Sequence, residues 1–108
     1  MSFKVEITSY FKKQAKHLLK KYPSLKGELE ILISSLEEGN VQGISMGNHC
    51  YKLRISIASK NKGKSGGGRV IINLQLSLEM IYLLSIYDKA EQENLSDAEL
   101  KELLKYIP

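Results

Sequence analysis

The segment from residue 80 to residue 87, MIYLLSIY, restricts the fold more than any other part of the sequence. Its middle is apolar at consecutive positions, so an extended strand here has no polar face to turn towards water. A strand with two apolar faces belongs in the middle of a sheet. Strict alternation along it puts Ser85 and Tyr87 on one face and Tyr82, Leu84 and Ile86 on the other.

Three further stretches alternate like strands, namely residues 3–8, residues 51–57 and residues 69–76. The stretch of residues 51–57 has an apolar face, which we expect to meet helices, and an opposite face that carries Lys52 and Arg54. The last one opens with Arg69. If neighbouring strands pair in sequence, Lys52, Arg54, Arg69 and Tyr87 meet on one face of the sheet.

Apolar residues recur with the period of a helix in three places. The first helix follows a cap at Thr8 or Ser9, and Pro23 separates it from a second helix that ends at Gly39-Asn40. These two form a helical hairpin. The sequence Ser96-Asp97-Ala98-Glu99 is a capping box, which predicts a third helix near the C-terminus.

The order of elements is therefore strand, helix, helix, three strands, helix. Consecutive strands with short connections favour a small, twisted, mainly antiparallel sheet with an N-terminal helical hairpin and a C-terminal helix, which is an α+β fold. We expect the helices to cover one side of the sheet. The 108 residues suit a single domain, 1–108.

Positive charge is concentrated between Tyr51 and Arg69. This stretch contains Lys52, Arg54, Lys60, Lys62, Lys64 and Arg69, and no Asp or Glu occurs between Glu38 and Glu79. The whole chain carries a net charge of only +4, so the concentration is local. Cations this close repel one another unless a polyanion neutralises them, which predicts a phosphate-rich partner such as nucleic acid.

Several classes of protein are disfavoured by the composition. A single cysteine, Cys50, cannot form an internal disulfide, and no apolar run reaches the roughly 18 residues of a membrane helix. We expect a cytoplasmic protein with no membrane partner. No Cys/His or acidic cluster suits a metal, so we also expect no metal and no cofactor.

Lysine, arginine and tyrosine are sufficient for one reaction, the cleavage of RNA by its own 2′-hydroxyl. Arginines bind the phosphate and stabilise its extra negative charge, and a lysine held among other cations gives up a proton more readily. A tyrosine stacks on a base or joins the proton transfer. The same residues also fit a module that only binds phosphates, and the pattern alone leaves both alternatives open.

The segment GKSGGGRVI, with YKLRI before it and LLSIYDKAEQENLSDAEL after it, resembles the RelE/HigB branch of bacterial type II toxins. The resemblance covers nearly the whole chain, including the KKYPSL junction between the first two helices. It implies a compact sheet with a helical hairpin, and metal-independent cleavage of messenger RNA on the ribosome. It also implies a cognate antitoxin that neutralises the toxin.

The resemblance also implies roles for individual residues. Catalytic positions are Lys52, Arg54, Arg69, Tyr87 and Lys89. The loop lysines Lys60, Lys62 and Lys64 match a basic loop that grips the RNA. Some members carry a histidine near the C-terminus where this chain has Asp88-Lys89. ParE-type toxins share the fold but act on gyrase, so a toxin-fold protein that binds nucleic acid or a protein target without cutting RNA is the alternative.

Overall fold

A sheet of five strands forms the centre of the molecule in the computed structural model, which describes residues 2–57, 66–92 and 94–108. The strands are β1 (Lys4–Ile7), β2 (Ile44–Gly47), β3 (Cys50–Ile55), β4 (Gly68–Gln75) and β5 (Met80–Asp88). The helices are α1 (Ser9–Lys21), α2 (Leu25–Glu37) and α3 (Asp97–Leu104), and a short 3-10 turn, Leu76–Leu78, joins β4 to β5. Within these residues no helix is both long and apolar enough to cross a membrane.

The strand order is β1-β5-β4-β3-β2, and every neighbouring pair is antiparallel except β1 and β5, which are parallel. The predicted α+β class is confirmed. The predicted mainly antiparallel sheet is confirmed as well, and β1 with β5 is its one parallel pair. The helical hairpin lies between β1 and the rest of the sheet in sequence, and this long crossover brings the N-terminal strand alongside β5 in the same direction.

The helical hairpin packs on one face of the sheet, as the helical periodicity predicts. Thr8 caps α1, because its hydroxyl accepts from the backbone N–H of Phe11, and α2 ends before Gly39, whose φ is 88°. Their apolar residues meet the apolar faces of the strands in one buried cluster with Leu53, Val70 and Leu83. This burial is the main force that holds the hairpin on the sheet.

The third helix packs on the opposite face, so the expectation that helices cover only one side is wrong. Leu100 and Leu103 of α3 are buried against Ile71, Leu84 and Tyr87 of the sheet. The reason is the double-sided apolarity of β5, since its second face also requires cover. The predicted capping box is present, with Ser96 and Glu99 each bonding the other's backbone N–H.

A bulge on β5 changes which side chains share a face. Ile71 pairs with Ser85 and Ile72 with Leu83, so Leu84 has no partner on β4. Ile86 consequently packs with the hairpin cluster, while Leu84 and Tyr87 pack with α3. The strict alternation predicted from the sequence, which placed Leu84 with Ile86 and apart from Tyr87, is therefore wrong.

The edge of β5 at and beyond the end of β1 is covered by the side chains of Thr8, which caps α1, and of Gln14 within α1. Thr8 Oγ1 donates a hydrogen bond of 2.7 Å to the carbonyl of Leu83, and Gln14 Oε1 accepts from the backbone N–H of Ile86 at 3.1 Å. The hydroxyl of Ser85 also donates to Gln14 Oε1, at 2.9 Å. Gln14 thus satisfies a backbone N–H of β5 beyond the end of β1, and the three bonds together fix the start of α1 against the strand.

Candidate active site

Three strands place predicted site residues side by side. Arg54 of β3 is directly opposite Arg69 of β4, and Arg69 is directly opposite Tyr87 of β5. Directly paired residues project from the same face of a sheet, with Cβ atoms about 4.5–5.5 Å apart. The row Arg54–Arg69–Tyr87 therefore crosses the sheet on the face that also carries α3. Lys52, two residues before Arg54 on β3, lies on the same face.

An open cavity of about 610 Å³ collects the cations of this face. Lys52, Arg54 and Arg69 line it, and Lys89 joins them from the residue that follows β5. The rest of its described lining is uncharged and consists of Gln42, Gly43, Ile44 and Asn94. Four cations and no carboxylate in the described lining make this a strong site for a phosphate group.

Arg69 differs from Arg54 in burial. Only 5% of Arg69 is exposed, and its Nη1 donates to the carbonyl of Gly68 at 2.9 Å, whereas Arg54 is exposed. Gly68 packs tightly here, since a Cβ on it would lie 3.0 Å from the carbonyl oxygen of Tyr87. A guanidinium held in place by packing presents its donors in a fixed direction, which suits recognition of one phosphate geometry.

Tyr87 lies beside Arg69 but beneath α3, and it is not among the described residues that line the cavity. Only 5% of the residue is exposed, and its hydroxyl has no hydrogen-bond partner in the part of the chain that the structure describes. Burial raises the pKa of Tyr87, the charge of Arg69 lowers it, and Glu99 raises it again. The net rise in pKa keeps this phenol protonated at neutral pH, so it can donate a proton or hydrogen bond.

Lys89 is positioned by the buried residue before it. Asp88 Oδ2 accepts from Tyr22 Oη at 2.9 Å, and Asp88 Oδ1 accepts from the backbone N–H of Ala90, also at 2.9 Å. The backbone N–H of Lys89 itself donates to the carbonyl of Gly67. Asp88 thereby ties the turn after β5 to the end of α1, and this bonding indicates a structural role for the carboxylate.

Three predicted residues cannot be placed relative to the cavity. Lys60, Lys62 and Lys64 lie outside the described residues, and their assignment to RNA contact stays a prediction. Among the residues that are described, no cluster of three or more His, Cys, Asp or Glu side chains could hold a metal ion.

The uncharged lining of the cavity was not predicted from the sequence. Ile44 is the first residue of β2 and Gln42 and Gly43 come directly before it, in a stretch that the sequence analysis treated as a lead into β3. A signal was present, because Ile44 and Met46 alternate before Gly47-Asn48, a pair typical of a tight hairpin turn. Asn94, which precedes α3, carried no signal of its own.

Comparison with known proteins decides the family. A model of the RelE toxin of the RelE/RelB toxin-antitoxin system matches residues 4–107, which is nearly the entire chain. The chain belongs to the RelE toxin family. The resemblance predicted from the sequence is thereby confirmed, and the protein is the toxin of a toxin–antitoxin system, with a cognate antitoxin implied as its partner.

Two solved structures of Escherichia coli RelE are similar to this RelE toxin. A double arginine-to-alanine mutant in the free state matches with a TM-score of 0.61 and 14% identity, and the isolated toxin in a P21 crystal form matches with 0.53 and 16%. Each match covers 100% of both chains. At such low identity the similarity establishes the RelE fold, which agrees with the hairpin, the sheet and the C-terminal helix described above.

Proposed function

We propose that this toxin is a metal-independent endoribonuclease, a single domain that cleaves messenger RNA on the ribosome and so stops translation. The observation that carries the proposal is the convergence of Lys52, Arg54, Arg69 and Lys89 on one open cavity without a carboxylate in its described lining. A cavity of about 610 Å³ has room for a phosphodiester and part of a nucleotide. Toxin-family membership supplies the biological setting.

The reaction needs one nucleophile, one base and one acid. The 2′-oxygen of the RNA attacks phosphorus and loses its proton to a base, while the bond from phosphorus to the 5′-oxygen breaks and that oxygen gains a proton. The products are a 2′,3′-cyclic phosphate and a 5′-hydroxyl. The extra negative charge on phosphorus in the transition state is the part that arginines stabilise.

The geometry supports a division of these roles. Arg69 and Arg54 bind the scissile phosphate, because they are directly opposite each other and both line the cavity. Lys52 and Lys89 lie on the same cavity and take part in proton transfer. Tyr87 is protonated and paired with Arg69 beneath α3, outside the described lining of the cavity, so we assign it the support of Arg69 and not contact with the leaving group. Lys60, Lys62 and Lys64 hold the RNA or the ribosome.

Mapping of messenger RNA ends distinguishes cleavage from binding alone. The toxin is induced in a bacterium, and new 5′ ends of messenger RNA are mapped before and after induction, with and without the antitoxin. We expect growth arrest together with new ends inside coding regions, and both should disappear when the antitoxin is co-expressed. Growth arrest with intact messages would contradict the nuclease proposal and favour a toxin that only binds its target.

Arg69→Ala should reduce the rate of the cleavage step by about a hundredfold, the scale seen when one transition-state donor is lost. The measurement is single-turnover cleavage on programmed ribosomes at saturating toxin. Arg69→Lys is the matched variant, because it keeps the charge and loses the two-pronged hydrogen bonding, and it should recover only part of the rate. Since Arg69 is buried, circular dichroism must show that both variants fold. Wild-type cleavage by folded Arg69→Ala would show that this residue only holds phosphate.

A further inference from the structure

The junction between α1 and α2 has no role in the mechanism above. Its sequence is KKYPSL, and it lies far along the chain from the segment DKAEQ at the end of β5. In the folded protein the two meet, because Lys21 and Tyr22 at the end of α1 both bond the turn of residues 88–92. That turn carries Lys89, one of the four cations of the cavity.

Asp88 organises the turn around Lys89. Its carboxylate accepts from the backbone N–H of Ala90 at 2.9 Å. Its carbonyl accepts from the backbone N–H groups of Glu91 and Gln92, each at 3.0 Å. An aspartate that bonds the backbone two residues ahead closes a turn on itself. Lys89 lies inside this closed turn, so the direction in which its side chain leaves the backbone depends on where Asp88 is held.

Tyr22 holds Asp88 from the helical hairpin. Its hydroxyl donates to Asp88 Oδ2 at 2.9 Å, and only 1% of Asp88 is exposed. A hydrogen bond this far from water is stronger than the same bond at the surface. Tyr22 is itself fixed, because its backbone N–H bonds the carbonyl of Leu18 at 2.7 Å and its side chain packs on the core cluster of the hairpin. The position of the turn is therefore set by a rigid element.

Lys21 adds a weaker contact to the same turn. Its Nζ lies 3.0 Å from Glu91 Oε1 and 5.4 Å from the centre of the Tyr22 ring. The side chains of Lys21 and Glu91 are 51% and 50% exposed, and ion pairs this exposed to water stabilise little. The buried bond from Tyr22 is therefore the main connection between the hairpin and the turn.

We propose that Tyr22 is a positioning residue for RNA cleavage, which acts through Asp88 to fix the turn from which Lys89 reaches the cavity. Tyr22 is outside the described lining of the cavity, so its effect on the reaction passes through Lys89. A reacting group that is displaced by about 1 Å can lose on the order of a hundredfold in rate. This inference rests on the proposed ribonuclease activity and adds to it a residue of the helical hairpin.

Tyr22→Phe tests the connection, because it keeps the ring in the core cluster and removes only the donor to the buried Asp88. The measurement is single-turnover cleavage on programmed ribosomes over a range of toxin concentrations. Tyr22→Phe should cleave about tenfold more slowly than wild type at saturation, as expected for a partial displacement of Lys89. The toxin concentration that gives half the maximal rate should stay close to the wild-type value, because the cations that bind RNA are unchanged. Lys21→Ala should slow cleavage less than about twofold.

A double-mutant cycle with Lys89→Ala separates positioning from a general loss of structure. Lys89→Ala alone should slow cleavage. Adding Tyr22→Phe to Lys89→Ala should slow it no further, because the side chain that Tyr22 positions is already gone. A general structural defect would instead slow cleavage by the same factor in both backgrounds.

The matched control is Tyr51→Phe. Tyr51 is also a half-buried tyrosine on the core cluster of the hairpin, and it is not among the described residues that line the cavity. It should cleave at the wild-type rate, and thermal unfolding should show that both tyrosine variants are folded. The positioning role would be overturned by a folded Tyr22→Phe that cleaves at the wild-type rate, by equal slowing in the Lys89→Ala background, or by full activity of Lys89→Ala. A wild-type toxin that cleaves no message would instead overturn the ribonuclease proposal, and the positioning role with it.

Discussion

At the scale of single residues, alternation along the strands was enough to bring Arg54, Arg69 and Tyr87 onto one face. It did not show that Tyr87 is buried, because that burial comes from α3, an element that begins nine residues after the end of β5. The bulge at Leu84 was also beyond prediction, since it depends on the pairing of β4 with β5 and leaves no mark in a run of apolar letters.

Replacing Tyr87 with phenylalanine should raise the free energy of unfolding at neutral pH by about 1 kcal/mol, because a buried hydroxyl without a partner is removed. The effect should grow at alkaline pH. Burial raises the pKa of Tyr87 in the folded state, which means that the folded protein favours the protonated phenol. The part of the free energy of unfolding that comes from this preference is fully present below the unfolded value near 10 and is lost as pH rises through the folded pKa.

Urea unfolding at neutral pH and above about pH 10 measures both effects, since unfolded tyrosine loses its proton in that upper range. Wild type should lose more stability than Tyr87→Phe between the two conditions. Tyr106→Phe is the control, because Tyr106 is exposed, and it should keep the wild-type dependence on pH. A Tyr87→Phe protein that is less stable than wild type at neutral pH would show that the hydroxyl stabilises the fold, which contradicts the expectation for a hydroxyl without a partner.

At the scale of elements, long amphipathic segments were predicted well, and the short edge strand β2 was missed. The helices and the strands β3, β4 and β5 have enough apolar positions to show their period. β2 has four residues, of which Ile44, Ser45 and Gly47 are exposed, so its sequence shows little inward-facing pattern. Its existence depends on pairing with β3, a contact that the sequence does not display.

The turn between β2 and β3 carries local strain that a glycine would relieve. Asn48 and His49 have φ angles of 53° and 61°, as a tight hairpin with two left-handed residues requires. Asparagine and histidine occupy this region more often than most residues do, but glycine does so without the steric cost of a Cβ. His49→Gly should therefore raise the free energy of unfolding by about 0.5–1 kcal/mol, after allowance for the greater flexibility of glycine in the unfolded chain.

Thermal and urea unfolding test the turn. The matched control is His17→Gly, which places the same change inside α1 and should destabilise the protein. A His49→Gly protein no more stable than wild type would show that the turn is not strained at this position.

At the scale of the whole molecule, the two faces of the sheet are covered by different parts of the chain. One side is covered by the helical hairpin and supplies most of the core. The other side is shared between α3 and the cationic cavity. Charge clustering and strand alternation predicted that Lys52, Arg54 and Arg69 share one face of the sheet, because neighbouring strands place their residues side by side. The uncharged lining of the cavity depends on the pairing of β2 with β3, which the sequence does not display.

An antitoxin that covers the cavity should bind through acidic groups, because cationic side chains line it. Its affinity for the toxin should fall on the order of tenfold as salt rises from low to near-molar concentration. Calorimetry across a salt series measures this dependence, and Arg54→Ala should flatten it. Lys26→Ala, on an exposed part of α2, should leave the slope close to wild type. An affinity independent of salt would count against an acidic segment over the cavity.

The parallel pairing of β1 with β5 also affects when the protein can fold during its synthesis. Thr8 bonds Leu83, 75 residues further along the chain, and Lys89 and Asn94 of the cavity come later still. A ribosome that has made only the first half of the chain has made the hairpin and its cap without the strand on which they rest. Contacts this distant in sequence form late and slowly. Each copy of the toxin is therefore incomplete throughout most of its own translation, and its cavity is assembled only when the last quarter of the chain emerges.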